Sequence, residues 1–68
     1  MTKKELIEKL IERNEIALME AEIDERYLQR KIISGQKKFE SLLAQQQSRI
    51  REIKDYLDFL REILKEEK

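Results

Sequence analysis

From Phe39 to Leu64 the large apolar residues recur at alternating spacings of four and three. Phe39, Leu43, Gln46, Ile50, Ile53, Leu57, Leu60 and Leu64 mark this seam, and all but Gln46 are apolar. A repeat averaging 3.5 residues puts every one of them on one face of a helix, which is a coiled-coil signal. The first half of the chain has a looser seam of Ile7, Leu10, Asn14, Ala17, Ala21, Asp24 and Leu28, widened by Leu6, Ile11, Leu18 and Ile32. Asn14 and Asp24 interrupt it with polar groups. Ala17 and Ala21 are small and let a neighbouring helix approach closely.

The helix boundaries are also legible. Thr2-Lys3-Lys4-Glu5 reads as a capping box. The Thr2 hydroxyl accepts from the Glu5 amide, the Glu5 carboxylate reaches back to the Thr2 amide, and Met1 with Leu6 forms a hydrophobic staple. The two seams are out of phase, because Leu43 lies two heptads plus one residue beyond Leu28. Gly35, the only glycine in a chain without proline, falls in the slip. Ile32-Ile33-Ser34-Gly35 has the form of an apolar last turn followed by a left-handed stop.

These signals predict an all-α fold, an antiparallel hairpin of two long helices. It forms one domain over 1–68, with a helix over about 3–33, a turn at 34–37 built on Ser34 and Gly35, and a helix over about 38–66. The competing architecture is one unbroken helix in a coiled-coil rod, since a glycine inside a helix costs only about 1 kcal/mol. In the hairpin, facing positions add to about 70, as helical rise requires for a turn near residue 35. Ala17 and Ala21 then face Ile53 and Ile50, and Asp24 falls opposite Gln46 to share a polar layer.

Two further apolar stripes do not fit a single seam. Ile16, Met19, Ile23 and Tyr27 lie on the side of the first helix away from Leu10, Ala17 and Leu28. Tyr56, Phe59 and Ile63 repeat the pattern on the second helix, nearer the open end. Contiguous exposed apolar patches mark interfaces. The stripes therefore predict a homo-oligomer, most simply a dimeric four-helix bundle, or a groove or helix of a protein partner. Composition points the same way. A chain of 68 residues needs a staple or self-association, and with no cysteine or histidine the disulfides and common zinc sites are excluded.

The same inventory is poor in chemistry. General-base histidine, cysteine nucleophile and glycine-rich phosphate loop are all missing. Ser34, Ser41 and Ser48 have no basic partner in sequence. The acids pair with bases at helical spacing (Glu5 with Lys9, Glu22 with Arg26, Arg51 with Asp55, Lys54 with Asp58), as on a solvated face. The expectation is a non-enzyme with no catalytic residue, no cofactor and no metal. No apolar run reaches membrane-span length and the N-terminus lacks a signal-peptide core, so a cytoplasmic protein without membrane contact is expected.

Charge balances at fifteen basic and fifteen acidic residues but is unevenly placed. Glu12, Glu15, Glu20, Glu22, Asp24 and Glu25 form an acidic belt, with Arg49 and Arg51 expected across from it. Arg26, Arg30, Lys31, Lys37 and Lys38 follow without an intervening acid and would surround the turn. Bases there complement the dipole at the end of the first helix. They also make a candidate anion-binding tip for RNA or DNA phosphate, though no base-reading motif accompanies them.

A two-helix chain of this length that dimerises resembles, in architecture alone, the plasmid-encoded Rop class of RNA-binding four-helix bundles. No functional motif of that class is matched, so the resemblance implies shape and nothing about RNA. The leading expectation is a non-catalytic protein–protein interaction module, an adaptor or inhibitor of the size common among phage and mobile-element accessory proteins. A nucleic-acid binder acting through the tip and a purely structural coiled coil are the alternatives.

Overall fold

A computed structural model describes residues 1–67. Helix α1 spans Lys3–Ile33 and helix α2 spans Glu40–Glu66, joined through a short 3-10 turn at Lys37–Phe39. The hairpin is formed and the rod is not. The helices run antiparallel over nearly their whole length, and the Cα trace extends over 52 × 15 × 12 Å.

α1 starts where the capping box puts it. The Glu5 amide donates to Thr2 Oγ1 at 3.1 Å. The return bond differs from expectation, because the Thr2 hydroxyl itself donates to Glu5 Oε1 at 3.1 Å. A hydroxyl can donate and accept at once, so one side chain closes both halves of the box. The staple is not made: Met1 is 78% exposed and Leu6 46% exposed.

α1 ends in a Schellman motif. The Gly35 amide donates to Ile32 O at 2.9 Å and the Gln36 amide to Lys31 O at 3.1 Å. Both bonds satisfy carbonyls that the helix end would otherwise orphan. Gly35 makes the reversal with φ 99°, the only positive φ among the described residues. The Ser34 hydroxyl adds a bond to Lys31 O at 2.8 Å. Gln36 provides no side-chain cap. The chain therefore enters the second arm through a tight 3-10 turn, with the Phe39 amide on Gln36 O at 3.2 Å, before α-helical geometry is established at Glu40.

The core is thin. Among the described residues Ile7, Ala21, Ile50, Leu57 and Leu60 are buried. Every other seam position of α2 is half-buried. Three cross-helix contacts report the register. Lys3 Nζ lies 3.2 Å from Glu67, Gln46 Nε2 donates to Ala21 O at 3.2 Å, and Arg61 lies 3.5 Å from Glu15. Their residue numbers sum to 70, 67 and 76, around the expected register.

Asp24 departs from the expected polar layer. It is exposed, and Gln46 instead bonds the backbone of Ala21. At 3.6 residues per turn Asp24 sits about 60° round from Ala21, on the rim of the seam. An unpaired carboxylate at the rim turns to water, because burying it would be costly. Asn14 likewise satisfies itself within α1, donating to Leu10 O at 2.8 Å. The four expected i,i+4 pairs do not close. Among the described residues the ion pairs are Lys3–Glu67, Glu15–Arg61 and the i,i+3 pair Asp58–Arg61.

Candidate interaction surfaces

The shape of the hairpin determines how much apolar surface is left over. Its radius of gyration is 15.6 Å, against about 11 Å for a compact domain of this length. Its accessible surface is 5558 Å², about 1,000 Å² more than the scaling for compact monomers gives at this mass. One seam between two long helices covers one face of each. Their other faces stay in water.

Apolar side chains occupy those faces. On α1, Ile16, Met19, Ile23 and Tyr27 are 53, 55, 67 and 56% exposed. They stand about half a turn from Ile7 and Ala21; Ile16 and Ile23 run along the outer face, while Met19 and Tyr27 border shallow grooves shared with α2. On α2, Tyr56 and Phe59 are exposed and their rings stack at a centroid distance of 6.3 Å. Ile63 is half-buried beside them in sequence, so it belongs partly to the seam.

Several exposed apolar residues fall outside the two stripes. Leu42 is 48% exposed and shares a shallow groove with Asp24, Tyr27 and Arg49. Arg49 borders the same groove as Asp24 and makes no ion pair with Glu20 or Glu22 among the described residues. Ile33 is 86% exposed and lies beside Arg26, Arg30 and Ile23 near the turn. The only sequence signal for Leu42 and Ile33 is that each neighbours a seam residue one step out of phase.

The basic residues at the turn do not converge on one point. Lys31 Nζ lies 5.4 Å from the centre of the Tyr27 ring. Lys38 Nζ lies 5.5 Å from the centre of the Phe39 ring. Both are placed for cation–π contacts within their own helical turn. Arg26 and Arg30 line the outer side of α1 with Ile23 and Tyr27, and Lys37 opens the 3-10 turn. Among the described residues no three acidic side chains group as metal ligands, and no helix is long and apolar enough to cross a membrane. The chain matches no family model, no curated protein and no solved structure.

Proposed function

We propose that this protein is a non-catalytic protein–protein interaction module, a helical hairpin whose outer faces bind other helical surfaces. The observation that carries this reading is the inversion of its apolar surface. Among the described residues ten large hydrophobic side chains are exposed, while only five residues, one of them an alanine, are buried. Half-exposed side chains of this size each present on the order of 100 Å². Together they match the excess surface of the hairpin, and a partner face of about 800 Å² is what a standard interface covers.

The test is position-specific photo-cross-linking in the native host. A benzophenone amino acid replaces Phe59, and separately Gln47, which is exposed on a polar part of α2. The expected result is a discrete adduct from position 59, absent from position 47 and lost when Tyr56→Asp is added. Equal, diffuse labelling from both positions would refute the reading.

A second reading is anion docking at the tip, supported by the acid-free run from Arg26 to Lys38. It is the weaker of the two, because Lys31 and Lys38 lie over their own aromatic neighbours.

A further inference from the structure

The outer stripe of α1 carries a charge pattern that is its own complement. Ile16, Met19, Ile23 and Tyr27 form its apolar middle. At 3.6 residues per turn, Glu12 and Arg30 fall in line with them, one at each end. Glu15 and Arg26 fall together on one flank. Along this line, between Glu12 and Arg30, the acids come first and the bases last.

We propose that this stripe pairs two copies of the chain antiparallel, α1 against α1, about a twofold axis near residues 21 and 22. The proposal deepens the interaction-module reading and rests on it. A twofold contact must be self-complementary. In this pairing Glu12 meets Arg30 of the second copy at both ends, and Arg26 of the second copy comes to the level of Glu15, which also holds Arg61 of its own hairpin at 3.5 Å. Between them Ile16 meets Tyr27, and Met19 meets Ile23. A parallel pairing would stack Glu12 on Glu12 and Arg30 on Arg30, and would bring two acid-free basic tips side by side. Like charges placed that way select against it.

The area lies at the small end for a specific contact. Four side chains per copy at on the order of 100 Å² each give about 800 Å² of apolar surface from both copies. The aliphatic stems of Glu12, Glu15, Arg26 and Arg30 extend the contact toward the roughly 1,200 Å² at the low end of stable interfaces. The other flank, with Glu20 and Asp24 near the axis, is acidic in both copies and stays wet. Association is therefore moderate in strength. The four helices lie in a row with α1 and its copy innermost, which leaves Tyr56 and Phe59 of α2 free for a different protein.

The experiment is sedimentation equilibrium of the full chain across micromolar to sub-millimolar concentrations, with helix content checked by circular dichroism. Wild type is expected to be a reversible dimer. Glu12→Arg places arginine against Arg30 at both ends and weakens the dimer by on the order of tenfold. Adding Arg30→Glu to the same chain restores it. The chain has no cysteine, so Ile16→Cys and Tyr27→Cys chains can be mixed and oxidised. Their disulfide is expected, and Phe59→Cys chains should not cross-link to one another. A monomer at every concentration, a dimer indifferent to Glu12→Arg, or cross-linking through Phe59→Cys would each overturn the pairing. A monomer would still leave the benzophenone result at position 59 to decide the interaction-module reading. An intact dimer with no specific adduct would do the reverse.

Discussion

Gly35 concentrates the choice of architecture in one residue, and its substitution has a magnitude that follows from geometry. Its φ of 99° lies in the region that L side chains avoid. A Cβ built there meets nothing within 4 Å, so Gly35→Ala carries a backbone penalty and no clash. That penalty is about 1–2 kcal/mol. A chain of this size has roughly 3–10 kcal/mol of stability in total. At about 4–8 °C per kcal/mol for a small domain, the midpoint of thermal unfolding should fall by about 6–12 °C for a loss near 1.5 kcal/mol. Wild type and variant are compared by circular dichroism at equal chain concentration, because association would shift both midpoints.

The informative control is D-alanine at the same position, within reach of chemical synthesis. A D-residue favours positive φ, and it narrows the unfolded ensemble relative to glycine. It should therefore keep or raise stability, by up to about 1 kcal/mol. An unchanged midpoint for L-alanine, or equal losses for both enantiomers, would refute the account of the turn. Alanine is also the best helix former, so Gly35→Ala weakens the stop itself. Scattering at high concentration should reveal a fraction of opened chains exchanging arms, with a maximum dimension toward the roughly 100 Å of an unbroken helix.

Two other substitutions test the interior and the tip. Gln46→Leu removes a donor whose acceptor, Ala21 O, sits inside a helix and has the helical ladder to bond. Urea denaturation should show a change within about 1 kcal/mol of neutral, whereas a loss above about 2 kcal/mol would mean that Gln46 fixes the register. Reversal of the tip by Lys31→Glu, Lys37→Glu and Lys38→Glu should leave mobility shifts of RNA and duplex DNA at low salt as they are for wild type, with neither retarded. Salt-sensitive retardation by wild type, lost in the variant, would promote the anion-docking reading.

The hairpin was legible because several local signals agreed. The α2 seam has a strong apolar residue at all but one of its positions, and all eight are buried or half-buried in the fold. Thr2 and Gly35 bracket α1 as capping chemistry requires. Asp24 was misplaced for a physical reason. A strict heptad drifts about 20° per repeat against a real helix, and in the irregular α1 seam the drift carried Asp24 to the rim. Glu25, never a seam candidate, became half-buried instead. The exposed stripe on α1 was visible as a second periodicity on the opposite face. The exposures of Leu42 and Ile33 were not, since an apolar residue next to a seam residue can roll either into or out of it. The ring contacts of Lys31 and Lys38 depend on rotamers that periodicity does not encode.

The surface of this chain follows from its length. Two helices of 31 and 27 residues joined by a tight turn can share only one narrow seam, however apolar their sequences are. Adding turns to the arms lengthens the seam and the outer faces in proportion, so the fraction of surface covered does not improve. A monomeric hairpin is stable and soluble only if those faces are polar. Here they carry Ile16, Met19, Ile23 and Tyr27 on one arm and Tyr56 and Phe59 on the other, all exposed. Along the stripe and on one flank of it, acids at Glu12 and Glu15 give way to bases at Arg26 and Arg30. A sequence that needed only solubility would have no reason to keep that order. One that must choose an antiparallel copy over a parallel one would.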